Sequence, residues 1–247
     1  MQAFALQMFA IGEATADAPP FDRPGIAFST GTLPAGSFAL EQGLPDIVRS
    51  SKSDDSSTSY SADSRFRVGI TDDLEVQVET SPFNSSTTHS LGATHSADGR
   101  GDVSIATKIA LPTGQQRLSG AMLAVVTFAN GANRFTNGAT AYDLGVTMGY
   151  SLDDDVDAEF YCNVNRLDGA TSFDVSPNLN VQISQTFAGF VEAGATFADH
   201  GTDDVVAGGG FTWMITPAVQ LDMSADFGLT DRSPRITAGF GVSIFVK

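Results

Sequence analysis

The chain has 247 residues, with 29 Asp and Glu against 13 Lys and Arg and a formal charge of −16. Nucleic-acid binding relies on clustered base, so neither DNA nor RNA is an expected partner. Hydrophobic residues make up 42% and charged residues 17%, yet no stretch approaches the roughly 20 apolar residues of a spanning helix, which excludes a helical membrane protein.

At the N-terminus, Phe4 to Ile11 is a short apolar run followed by Ala16-Asp17-Ala18, the small-x-small form of a signal-peptidase site without a basic n-region. Residues 1–18 therefore read as a degenerate signal peptide, the remainder of one that starts upstream, or a mature amphipathic segment. Residues 19–36, with Pro19, Pro20, Pro24, Gly25, Gly31, Pro34 and Gly36, carry no sustained periodicity. They read as a periplasmic lead-in to one domain over residues 37–247.

From about Phe38 the chain alternates apolar and polar residues in segments cut by turns. The clearest is 140–152, where Tyr142, Leu144, Val146, Met148, Tyr150 and Leu152 share one face and Ala141, Asp143, Gly145, Thr147, Gly149 and Ser151 the other. The pattern predicts an all-β fold, a transmembrane antiparallel up-and-down β-barrel of about twelve strands. The strands fall at 37–49, 58–70, 74–83, 100–111, 118–129, 140–152, 155–167, 172–183, 187–198, 203–216, 218–229 and 235–246. Tight turns such as Thr71-Asp72-Asp73, Asp153-Asp154 and Thr216-Pro217 alternate with longer connections at Ser50–Ser57, Asn84–Gly99 and Asn130–Ala139. Short periplasmic turns and longer outer loops are the pattern of the bacterial outer membrane.

Because a one-residue slip exchanges the faces, parity assigns every side chain. The lumen is expected to hold Glu41, Asp63, Glu75, Glu79, Asp102, Asp143, Asp157, Glu159, Asp174, Glu192, Asp222 and Asp226, with Arg65, Arg67, Lys108 and Arg235. Acid outnumbers base, which favours cations in a water-filled pore, and Arg65 or Arg67 opposite Glu75 or Glu79 would pin a narrow zone. Strand 118–129 is apolar on both parities and stays ambiguous. On the lipid parity Tyr60, Phe128, Tyr142, Phe173, Phe197 and Phe227 gather near the long-loop ends, and Tyr150, Phe187 and Trp213 near the short-turn ends. Two aromatic girdles are what a bilayer interface selects. The competing reading, a soluble β-sandwich, has edges to protect and does not need so regular a polar face.

Several landmarks together resemble the bacterial MetA-pathway phenol-degradation family, often called simply transporters. They are Arg23-Pro24-Gly25 with Thr32 to Leu40 and Glu41, Arg67-Val68-Gly69-Ile70 leading into Leu74-Glu75-Val76, and Gly101-Asp102 with Lys108 and Leu111-Pro112-Thr113-Gly114. Near the end come Ile215-Thr216-Pro217, Gln220-Leu221-Asp222, Gly228-Leu229 and Ala238-Gly239-Phe240. The resemblance implies an outer-membrane barrel serving catabolism of aromatic compounds by passage of small molecules, and it implies no catalytic residue. Two departures stand out: the poor signal sequence, and short loops that argue against a loop-folded plug.

Enzyme chemistry finds little support. Glu75, Glu79, Asp157 and Glu159 form acid pairs, as any strand with every inward residue polar will. His89, His95 and His200 fall in outer loops, Cys162 stands alone on an apolar parity, and no Ser lies in strand register with a His. No metal site or cofactor is expected, although acidic tips such as Asp54-Asp55 and Asp203-Asp204 would suit divalent ions bridging lipopolysaccharide. The first reading is a monomeric channel in outer-membrane lipid and lipopolysaccharide for passive passage of small molecules, since a segment this short cannot be an energy-coupled plug domain. The second is a closed structural or adhesive barrel, in which Tyr161, Phe190, Met214 and Phe245 fill the space that Gly208, Gly210, Gly239, Gly241 and Ser243 would leave open. An outer-membrane hydrolase is a distant third.

Overall fold

Alternation dictates the architecture. In a computed structural model, which describes residues 19–52, 55–199 and 204–247, the regular elements of the described residues are strands, and no helix among them is long and apolar enough to cross a membrane. The reading of residues 1–18, and the roles given to Asp54, His200 and Asp203, lie outside the described residues. In chain order the strands are β1 (Phe38–Gly43), β2 (Asp46–Lys52), β3 (Asp55–Ser61), β4 (Ser64–Thr71), β5 (Leu74–Thr80), β6 (Asn84–Ser90), β7 (Ala93–Gly99) and β8 (Val103–Ala110). They continue as β9 (Leu118–Phe128), β10 (Ala141–Ser151), β11 (Val156–Leu167), β12 (Ala170–Ser184), β13 (Phe187–Ala198), β14 (Asp204–Thr216), β15 (Val219–Gly228) and β16 (Ile236–Val246).

Twelve of them close into an antiparallel up-and-down barrel, in the order β1, β4, β5 and then β8 to β16, with β16 returning to β1 from Phe38↔Val246 to Gly43↔Gly241. Closure removes the unpaired edges that a sheet of this size would otherwise expose. The outer surface is apolar: Tyr142, Leu144, Tyr150, Phe160, Val191, Trp213 and Phe240 are all exposed there. On the alternate positions Glu41, Arg67, Glu75, Gln77, Lys108, Thr147, Ser176 and Ser243 are buried inside. An apolar exterior around a polar interior inverts a soluble protein and fits a barrel solvated by lipid.

Two stretches read as loops are strands. Ser50–Ser57 and Asn84–Gly99 supply the ends of β2 and β3 and the hairpin β6–β7, and the four strands pair in the order β2, β3, β6, β7. This flap grows from the barrel wall, with β2 continuing β1 along β16 at Arg49↔Ile236. The break between β1 and β2 falls at Leu44-Pro45, where proline has no N–H for the ladder. Ser and Thr dominate β3 and β6, so the hydrophobic alternation that marks the other strands is missing from these.

A second correction concerns the lead-in. Residues 19–37 run inside the barrel, where Phe21 and Leu33 form a buried cluster with Ala39, Met214 and Phe245. Phe28 forms another with Ala106, Ala121 and Leu123, flanked by Val125 and Tyr161. The ambiguity of strand 118–129 has its cause here: Ala121, Leu123 and Val125 face the lumen yet are apolar because Phe28 covers them.

Candidate functional site: the threaded lumen

The lumen is built around the N-terminal segment, which is fastened to several wall strands by charge. On the β1, β4, β5 and β8 wall, Arg67 donates from Nε and Nη2 to Glu75 at 2.8 and 2.9 Å. From Nη1 it donates to Glu41 Oε1 and to the carbonyl of Pro20, both at 2.7 Å. Glu41 accepts in turn from the amides of Asp22 and Arg23 at 3.0 Å, and Glu75 from that of Leu33 at 2.7 Å. Asp22 points into the same wall, where Lys108 Nζ donates to it at 2.6 Å and Gln77 Nε2 at 3.0 Å. Lys108 also lies 5.4 Å from the centre of the Phe28 ring, a cation–π contact.

On the adjoining wall, across β16 from β1, Arg23 makes a two-pronged contact with Asp46 at 3.0 and 3.1 Å and reaches Asp222 at 3.3 Å. Its guanidinium fits because Gly239 and Gly241 carry no side chain: a Cβ on Gly241 would collide with Arg23 Nε, and one on Gly239 with Asp46. The glycines expected to leave free space instead seat this arginine. Further round, the Ile26 amide donates to Glu192 at 2.8 Å. Paired, hydrogen-bonded charges of this kind hold position well, whereas a lone charge at such a site is costly.

Each lumen residue named from parity can now be placed. Arg67, Glu75, Lys108, Glu192, Asp222 and Asp226 are buried like Glu41, and Arg65, Glu79, Asp102, Asp143, Glu159 and Asp174 are half-buried. Arg65 donates to Glu79 at 2.8 Å, so both expected arginine–glutamate contacts across β4 and β5 are formed. Asp63 is exposed at the long-loop mouth, Asp157 is exposed beside Ser151 at a short turn, and Arg235 is exposed rather than internal. Asp102 caps the loop between β9 and β10, accepting from the amides of Asn130, Gly131 and Asn137 at 2.7–2.8 Å. Burial pushes its carboxyl up, but these amides and the Thr136 hydroxyl outweigh that and hold it below the usual carboxylate range. His89 and His95 lie on β6 and β7, and His89 meets the Thr94 hydroxyl at 2.8 Å.

Of the aromatic residues, Phe128, Tyr142, Tyr150, Phe173, Phe197, Trp213 and Phe227 are exposed on the barrel's outer surface, whereas Tyr60 is exposed on β3 of the flap and not on a barrel strand. Phe187 is half-buried there, stacked on Phe211 with ring centres 5.4 Å apart. What sequence reasoning missed is the segment itself: Phe21, Asp22, Arg23, Ile26, Phe28 and Leu33. Its apolar residues, set in a Pro- and Gly-rich stretch without periodicity, were the available signal, together with an Asp-Arg pair able to match lumen charges.

Cavities lie to either side of the segment. One of about 220 Å³ at the long-loop end is lined by Glu41, Asp63, Arg65, Glu79 and Asp102. A neighbour of about 240 Å³ shares Arg65 and Glu79 and has Phe28, Leu123, Val125 and Tyr161 as its apolar side. Toward the short turns a cavity of about 210 Å³ is bounded by Pro20, Phe21, Glu159, Asn180 and Phe190. Arg23 lines the first and the last of these, so the segment stands between the two ends of the lumen.

A closed twelve-strand barrel with an apolar exterior and a polar, partly filled lumen is the architecture of outer-membrane channels and porins. Within that class the chain belongs to the family described as "Putative MetA-pathway of phenol degradation", whose model matches residues 21–245. Its fold is similar to that of an outer membrane channel from Pseudomonas putida F1, at 14% identity and a TM-score of 0.74, over 91% of this chain and 99% of that one. It is also similar to the NanC porin, at 11% identity and a TM-score of 0.52 over 85% and 99% of the two chains. The translocator domain of the autotransporter NalP from Neisseria meningitidis matches at 13% identity and a TM-score of 0.52, over 85% and 88%. At these identities the likeness is one of fold. Among curated proteins none matches the chain.

Proposed function

We propose that this protein is a channel of the bacterial outer membrane through which small molecules pass passively, aromatic or otherwise hydrophobic compounds among them. It acts as a monomer surrounded by lipid and lipopolysaccharide, without a cofactor and without catalysing a reaction. The observation that carries the reading is a closed, polar-lined barrel with cavities on both sides of a segment whose contacts inside the lumen are non-covalent. Aromatic solutes enter the reading through family membership, and the apolar side formed by Phe28, Leu123, Val125 and Tyr161 suits them.

The same threaded segment supports a second reading, a closed structural barrel, because Arg23 and Phe28 occupy space that a solute would cross. Planar-bilayer recording of the refolded protein under a salt gradient separates the two. Discrete current steps with cation preference are expected of an open acidic pathway. Silence from a correctly inserted barrel would favour the structural reading.

A further inference from the structure

The cavity of about 240 Å³ has an apolar side and, facing it, a carboxylate without a counter-charge. On β9, β10 and β11 the register sets Val125 beside Asp143 and Asn165, and in the next row Leu123 beside Gly145 and Asn163. Gly145 is the floor: a Cβ there would stand 3.0 Å from the Phe28 ring, 3.1 Å from that of Tyr161 and 3.5 Å from Asn163 Oδ1. The two rings meet edge to face with centres 5.7 Å apart, and Leu123 and Val125 pack with them. An apolar space of about 150 Å³ takes a benzene ring, so the volume suffices for one ring and a short arm.

The polar end is made of acceptors. Asn163 is 8% exposed, and its Nδ2 donates to Asp174 at 3.1 Å and to Asp143 at 3.4 Å. Because both neighbours are carboxylates, the amide nitrogen is the atom that faces them, which turns Oδ1 over Gly145 into the cavity. Asp143 Oδ1 accepts from Asn165 Nδ2 at 2.7 Å. Neither Asn163 Oδ1 nor Asp143 Oδ2 accepts a hydrogen bond among the described residues. Of the charged groups lining the cavity, Arg65 and Glu79 pair with each other at 2.8 Å. No salt bridge among the described residues reaches Asp143. A molecule filling this space meets a carboxylate and an amide oxygen at one end and aromatic rings at the other, which together suit N–H donors carrying positive charge.

We propose that the cavity binds a small arylalkylammonium ion, whose ammonium group donates to Asp143 Oδ2 and Asn163 Oδ1 and whose ring lies against Phe28, Leu123 and Val125. The inference deepens the channel reading and rests on it for the ion being a solute in passage, whereas binding itself needs no open pathway. Asp143 is then the residue that separates amines from uncharged and anionic aromatic compounds of the same size.

The test uses the full chain refolded in zwitterionic detergent, by equilibrium dialysis against the same micelles so that partition into detergent cancels. Phenethylammonium, phenethyl alcohol and phenylacetate share a ring and an arm and differ in charge. Saturable binding of one phenethylammonium per chain is expected, about tenfold or more tighter than the alcohol, with phenylacetate weakest. Asp143→Asn should remove that preference and leave the alcohol unaffected, and Asp153→Asn, an equal charge change at a surface turn, should leave all three unaffected. Should Asp143→Asn lack the gel mobility of a folded barrel, the native chain keeps the test: raising NaCl from about 0.05 to 0.5 M should weaken the amine and not the alcohol. Equal affinity for amine and alcohol, tighter binding of phenylacetate, or no saturable binding of the amine would each overturn the proposal. Amine binding by a barrel that is silent in the bilayer would support the site and count against the channel reading, and current without amine binding would do the reverse.

Discussion

Arg67 is fully buried and donates to the carboxylates of Glu41 and Glu75 and to the Pro20 carbonyl, with the Asp22 carboxylate 3.5 Å away. Replacing it by Ala leaves Glu41 and Glu75 facing each other inside the barrel, and removal of one member of a buried ion pair costs about 3–5 kcal/mol. Urea unfolding followed by the fluorescence of Trp213 should show that loss. Arg65→Ala should cost much less, about 1 kcal/mol or under, because its side chain is 27% exposed and water screens the pair. Bilayer current should also rise in Arg67→Ala as the segment loosens, while equal effects of the two substitutions would remove the distinction. Asp102 gives a pH dependence. Its carboxyl is held below the usual range, so its contribution is complete above the unfolded-state value and disappears as pH falls through the lower folded-state value. Proteolysis within residues 129–140 should therefore be slow at pH 7 in the native chain and quicken only as pH falls below the usual carboxylate range, and be fast throughout in Asp102→Ala.

At the scale of the element, period-two hydrophobicity was legible wherever one face meets lipid and the other the lumen, which is why ten barrel strands could be read to within three residues, while the expected strands 37–49 and 58–70 each ran six residues past β1 and β4 into the flap. The flap was not legible, because β3 and β6 lie beyond the apolar band with Ser and Thr on both faces. The segment was hidden for a different reason. It makes few backbone pairings, and its partners Glu41, Arg67, Lys108 and Glu192 are scattered over the chain, so its place follows from tertiary charge matching and not from any local pattern. Where the segment enters the wall, the Gly36 amide bonds to the Gly69 carbonyl and the Gly69 amide to that of Ser37. A Cβ on Gly69 would strike the carbonyl oxygens of Leu33 and Pro34. Gly69→Ala is expected to leave a folded barrel, judged by gel mobility, with the segment displaced, judged by faster cleavage of residues 19–37 in detergent.

On the scale of the whole molecule, wall and filling are separate structures joined at Phe38. Deleting residues 19–30 removes Arg23 and Phe28 but no barrel strand, so the barrel should still fold, with larger current steps than the native chain if solutes pass through the lumen. Unchanged steps would show that the segment does not limit the pathway. Charge selectivity should change little, since Asp22 leaves together with Arg23 and the net charge of the lumen stays the same.

The last strand closes the wall against β1, and its Phe245 also packs on the cluster of Phe21 and Leu33. A chain without β16 would therefore have unpaired edges on β1 and β15 and a segment lacking one of its apolar supports, so closure of the wall and seating of its filling are completed by the same strand.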